Sequence, residues 1–176
     1  MAFWAAKEME PKRKYRWTLS FGNGVNYIDT FVLKKVSRPS FTQTEAKYEF
    51  LNHTFYFPGR LQWEELTITL ADALDPNGAA NILGLIQQAG YQLPENPNVL
   101  STVSKNSAVT SLNGLAIVQR NANGDMAEIW HLKNPWIKNV KFSENDYSSD
   151  DIHEIELTLR FDFAKLEQMG PVGLTT

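Results

Sequence analysis

Nine consecutive residues, from Ile155 to Phe163, alternate apolar and polar side chains without interruption, the pattern of a strand with one dry and one wet face. A helix would scatter the same apolar residues around its axis, so this segment points to an antiparallel sheet with one face exposed. The same period returns over residues 63–70 and 15–21. In the strand expected over residues 61–71, Trp63, Leu66, Ile68 and Leu70 should turn inward and Thr67 and Thr69 outward, with Glu64-Glu65 shifting the phase as a bulge. Over residues 14–21, Tyr15, Trp17, Leu19 and Phe21 share one face, and Gly22-Asn23-Gly24 predicts a tight turn into a second strand over residues 26–36.

Between these strands the punctuation changes. Asp75-Pro76 reads as an N-cap followed by a first helical residue, Ala79, Ile82, Leu83 and Ile86 fall at i, i+3, i+4 and i+7, and Gly90 ends the element. This single expected helix carries one apolar stripe and should lie across the sheet or cap an end of it. Residues 91–111, rich in Pro, Asn and Ser, read as a long loop. Strands follow at 115–120 and 127–132, joined through the turn at 121–125, and Asn134-Pro135 leads into a further strand at 136–142. The acidic stretch 143–151 reads as a solvated turn, because its carboxylates lack the tight alternate spacing and the glycine of a calcium loop. The predicted fold is mainly β, an antiparallel sandwich or barrel-like body with one helix and extended loops. It divides into an arm at 1–13, a β domain at 14–166 and a polar tail at 167–176.

Residues 40–57 stand apart. Ser37-Arg38-Pro39 breaks the preceding strand, since proline lacks a ladder donor. A long stretch with irregular alternation then carries Phe41, Tyr48, Phe50, Phe55, Tyr56 and Phe57 before Pro58-Gly59, which reads as a turn. Two readings fit: an ordinary hairpin on its own core, or an extended hairpin whose aromatics dock on another subunit.

The chain's 176 residues suit one domain, and 43% hydrophobic with 21% charged residues is the composition of a folded, soluble protein. Without cysteine there is no disulfide, thiolate metal site or cysteine nucleophile. The opening Met1 to Ala6 is too short and too late in its positive charge for an export signal, and no run reaches the length of a membrane helix, so a cytoplasmic protein is expected. Asn52-His53-Thr54 matches a glycosylation sequon, discounted for the same reason. The net charge is −3, although residues 1–16 hold five basic residues against Glu8 and Glu10. No other basic cluster would serve a nucleic-acid binder. His53, His131 and His153 lack metal-site spacing, there is no nucleophile elbow, phosphate loop or dinucleotide fingerprint, and Glu154 and Glu156 read as solubilising acids. No catalytic residue, metal or cofactor is expected.

The order of several segments resembles the tube proteins of contractile bacteriophage tails, over about residues 15–165. These are Val36-Ser37-Arg38-Pro39, Phe57-Pro58-Gly59 with the strand from Trp63 to Leu70, the helix at 79–89, Asn134-Pro135-Trp136 continuing to Val140, and the run from Ile152 to Phe163. The resemblance implies six-membered rings stacked into a hollow tube inside a sheath, with sheath, baseplate and tape-measure proteins as partners. It further implies DNA passing through unbound, and a place in the virion after assembly in the host cytoplasm. The repeated tube subunit, a baseplate tube initiator and the tube of a related injection or secretion system all fit. On this reading the aromatic hairpin clasps the next ring, while Thr67, Thr69, Glu154, Glu156, Thr158, Arg160 and Asp162 line or flank the lumen. Six copies would multiply the −3 of one chain, and an acidic lumen would repel phosphate. A reading of another class is a monomeric β-barrel enclosing a small apolar ligand among its aromatic residues.

Overall fold

The computed structural model describes residues 11–21, 33–75, 77–93 and 102–168. The expected Gly22-Asn23-Gly24 turn, Pro76, most of the arm and nearly all of the tail lie outside them.

The elements in chain order are β1 (Trp17–Phe21), β2 (Leu33–Val36), β3 (Phe41–Phe50), β4 (His53–Trp63), β5 (Leu66–Ala71), α1 (Gly78–Gln88), α2 (Lys105–Leu112), β6 (Leu115–Arg120), β7 (Met126–Lys133), β8 (Trp136–Phe142), β9 (Glu154–Arg160) and β10 (Phe163–Gln168). They form two four-stranded antiparallel sheets, β1-β6-β7-β10 and β2-β5-β9-β8, with β3-β4 as a separate two-stranded ribbon. The mainly β, antiparallel architecture is therefore as the alternation predicts.

The dry faces of the two sheets meet. Leu66, Ile68 and Leu70 of β5 and Ile155, Leu157 and Leu159 of β9 join Leu19, Leu115, Ile117 and Leu132 of the other sheet in one buried cluster. Each such side chain taken out of water contributes about 1.5–3 kcal/mol, so this layer dominates the stability of the body. Ile82 and Leu85 of α1 and Leu112 of α2 complete it, with α2 touching both α1 and β8.

Several expectations are corrected. Of the hairpin expected across residues 14–36 only the two ends are described, and they serve different sheets: β1 pairs with β6, and β2 pairs with β5, while residues 22–32 lie outside the described residues. Tyr15 precedes β1 and is exposed. The strand read as 61–71 is two strands, because Glu64-Glu65 is the point where the chain leaves the ribbon for the core sheet and not a bulge within it. The opening alternation likewise ends at Arg160: Phe161 is still buried, but Asp162 turns the chain, and Phe163 starts β10 in the opposite sheet. A period of two persists through such a corner, since it reports sidedness and not which sheet holds the strand.

Among the described residues there are two helices, not one. Ser104 caps α2 by accepting from Ser107 N, and Asn113 closes it at φ 47° ahead of Gly114 at φ 93°, inside what reads as a loop. In α1 the cap is Asn77, whose Oδ1 accepts from Ala80 N at 2.9 Å, and not Asp75. Its inward stripe is Ala79, Ile82, Leu85 and Ile86, while Leu83 faces out.

Leu159 lies sealed between the sheets. Leu159→Ala should cost about 2–5 kcal/mol, read as a lower denaturant midpoint with little change in slope, whereas Tyr147→Ala, at a fully exposed position, should leave the midpoint unmoved.

Candidate assembly surfaces

Every residue of β3 is exposed, and in β4 only Thr54 and Trp63 are partly covered. At roughly 3.3 Å per residue the ten-residue β3 spans about 33 Å, so the ribbon projects well beyond the body. Its register sorts the aromatics by face. Tyr48↔Phe55, Ala46↔Phe57 and Phe50↔His53 place four aromatics and a histidine on one side. Lys47↔Tyr56 and Glu49↔Thr54, with Glu45, place charge and Tyr56 on the other, where Lys47 Nζ lies 5.5 Å from the Tyr56 ring centre. The six aromatics expected to form one surface thus divide: Tyr48, Phe50, Phe55 and Phe57 share a face, Tyr56 opposes them, and Phe41 belongs to the stem.

That stem is firmly built. Phe41 meets Trp63 edge-on at 5.3 Å between ring centres, and Trp63 reaches the buried Phe161 at 5.9 Å. Ser37 is bonded to Thr67 through both its backbone N–H and its hydroxyl oxygen, at 2.9 and 2.8 Å. Pro58-Gly59, read as a turn, instead lies within β4 at a register shift opposite Gln43 and Glu45. Arg60 N donates to Thr44 Oγ1 at 2.9 Å, which repairs the ladder there. Only glycine fits at 59: an added Cβ would sit 2.3 Å from that oxygen. The turn itself is Leu51-Asn52, where Leu51 is 89% exposed at φ 51°, an uncommon conformation for a bulky side chain.

The second surface is the outward face of the β2-β5-β9-β8 sheet. Cross-strand pairs Thr67↔Thr158 and Thr69↔Glu156 put four expected lumen residues together, with Glu154 and Arg160 on the same side of β9. The neighbouring strands add cations that the β9 pattern alone could not reveal. Lys35 is opposite Thr69, Lys141 is opposite Glu156, and Lys34 pairs with Glu154. With Lys138 and Arg160 both bonded to Glu65, this face mixes both signs of charge and is not acidic.

Asp162 does not share it. Its carboxylate receives Asn134 Nδ2 at 2.7 Å and Lys105 Nζ at 2.9 Å, tying the β9–β10 corner to the β7–β8 turn and to α2. The hydrogen bond from Asn134, then that from Lys105, hold its carboxyl below the ordinary aspartate range. Beside it a groove of about 730 Å³ runs between Trp63, Lys105, Trp136 and Arg160. Among the described residues no group of His, Asp or Glu could hold a metal ion, and no helix is long and apolar enough to cross a membrane.

Two packed antiparallel sheets, two short helices and a long ribbon standing clear of the body are the tail-tube fold, the fold of tube-related components of contractile injection systems. The chain superposes on one from the tube-terminating cap of the anti-feeding prophage with a TM-score of 0.68 at 18% identity, covering 96% of this chain and 100% of that one. It matches one from the PVC sheath/tube terminator at 0.67 and 21%, covering 92% and 99%, and one from the PVC sheath–tube complex at 0.64 and 19%, covering 96% and 99%. No protein-family model and no curated protein sequence matches it. At these identities the likeness is one of fold, and it spans essentially the whole of each partner chain.

A group with a lowered carboxyl value stabilises the fold above its unfolded pKa, and that contribution disappears as the pH falls through the folded value. Wild type should therefore melt above Asp162→Asn near neutral pH, and the gap should close as the pH drops below about 4, measured by thermal scans across that range.

Proposed function

We propose that the chain is a ring-forming structural subunit of the tube of a contractile injection apparatus, with no enzymatic role. The observation that carries this is the ribbon with four aromatics on one face. A monomer would expose that face to water at a cost in solubility and stability, whereas stacking on a second copy removes it. The edges of the body support the same reading. Among the described residues, strands β1, β2, β8 and β10 each have one partner in their sheets, and closing a ring pairs such edges in every subunit at once.

On this proposal six copies form the ring, rings stack into a conduit, and the outward face of β5 and β9 lines or flanks it. Sheath, baseplate and tape-measure proteins are the partners. In a phage tail the cargo is DNA, which passes unbound, and the particle is a virion assembled in the host cytoplasm. The division into an arm at 1–13, a β domain at 14–166 and a tail at 167–176 belongs to the same reading. The fold likeness to tube-terminating chains favours a second placement, as the ring that ends the tube. The ligand-binding barrel finds no support in the core, where the space between the sheets is filled by leucine and isoleucine side chains.

Negative-stain microscopy of concentrated protein should show stacked rings for a repeated subunit and single rings for a terminal one. Replacing Tyr48, Phe50, Phe55 and Phe57 together by serine should give folded subunits that do not stack. A single small species at every concentration, or stacking that survives the four substitutions, would defeat the proposal.

A further inference from the structure

Glu128 is the one charged residue buried among the described residues, at 4% exposure. It sits in β7 between Gln119 of β6 and Gln168 of β10, on the core-facing side with Trp130 and Leu132. Its carboxylate accepts from Trp130 Nε1 at 2.7 Å, from Lys12 Nζ and from Arg38 Nη2. The Arg38 guanidinium also lies 6.0 Å from the Trp130 ring centre. Burial alone would push this carboxyl up, but the hydrogen bonds from Lys12 and Trp130 and the charges of Arg38 and Lys12 outweigh it and hold the group below the ordinary glutamate range.

The two cations come from distant places. Arg38 lies in the short connection between β2 and β3, from which the ribbon departs. Lys12 belongs to the N-terminal segment, which is otherwise held by Gln119 Nε2 donating to Arg13 O and Arg16 O at 2.9 and 2.6 Å. Ser37 and the Phe41–Trp63–Phe161 ring contacts fasten the stem to the β2-β5-β9-β8 sheet. Arg38 is its fastening to the other sheet. A rod held on one sheet only can swing about that attachment, whereas anchors on both sheets fix its angle, and Pro39 removes a rotatable φ between the anchor and the first strand residue.

We infer that Glu128 is a positioning residue: its carboxylate sets the angle at which the β3–β4 ribbon leaves the body, and through the shared contact with Lys12 it couples that angle to the N-terminal segment. The role concerns orientation more than folding, because the Lys12 and Arg38 side chains are 57% and 58% exposed and reach water readily when released. Glutamine at 128 would still accept from Trp130. The consequence for stacking rests on the assembly proposal, but the ribbon angle is a property of the lone subunit.

The cysteine-free chain allows spin labels at two introduced positions, Glu49→Cys on the ribbon and Asn123→Cys in the β6–β7 turn. In the otherwise wild-type subunit, pulsed dipolar spectroscopy should give one narrow distance peak. Glu128→Gln and Arg38→Gln should each lose it to a broad distribution while the far-ultraviolet spectrum is kept, and Arg38→Lys should restore part of it. Should Glu128→Gln fail to fold, Arg38→Gln alone decides, since its side chain is mostly in solvent. A narrow peak retained in folded Arg38→Gln would overturn the positioning role. A broadened ribbon whose subunits still stacked as wild type would leave that role standing and count against the assembly proposal.

Discussion

The contact between the dry faces of β5 and β9 on one side and β1, β6 and β7 on the other is what the rest of this molecule depends on. It uses leucine and isoleucine almost exclusively, side chains with no polar atom to satisfy and well-defined rotamers. Because it fills the space between the sheets, every connection has to run around it. The chain therefore crosses between sheets at short corners, such as Phe161-Asp162 and Asn134-Pro135, and those corners hold much of its specific polar chemistry. Asp162, with Asn134 and Lys105, is the clearest case.

A filled core also decides what happens to the surplus. The layer has no room for the aromatics of residues 41–57, and they leave the body as a ribbon with its own register and its own faces. Among the described residues they remain exposed. The ribbon's internal order comes from pairing and from local devices at the stem: the Thr44 hydroxyl standing in for a ladder group beside Gly59, and the ring contacts of Phe41 and Trp63.

Alternation made β5 and β9 legible, because each has one face on the core and the other turned away from it. It could not say which sheet a strand joins. Two consecutive strands that change sheets without changing phase, β9 and β10, look like one, and Glu64-Glu65 looks like a bulge when it is a handover. The second helix was hidden by its composition, since Lys105 to Leu112 contains two serines, a threonine and an asparagine and buries only Ala108 and Leu112. Its caps, Ser104 and Asn113-Gly114, were the signal to read. The aromatic ribbon was visible as a surplus, but its two faces require the register. The cations of the outward sheet face were not legible in the β9 pattern, because β2 and β8, distant in sequence, supply its lysines. Glu128 gave no sign at all: a single acid in an alternating strand looks solvated until its partners at 12 and 38 are brought to it.

These charges divide by how freely they can rearrange. Lys34 with Glu154, and Lys141 beside Glu156, sit on an open face where solvent screens them and side chains reorient at little cost. At Glu128 the opposite holds, since a buried carboxylate stripped of its partners is costly, so its contacts persist. Association must repay the freedom lost by both partners, and a ribbon ordered before contact loses less. It follows that rigidity is worth most at the stem, where a small angular error grows over the ribbon's length. That is where Ser37, Arg38, Phe41, Gly59 and Trp63 are found, while the only strained residue of the ribbon, Leu51, sits at the far end, where a conformation unfavourable in water can be offset by whatever surface the tip meets.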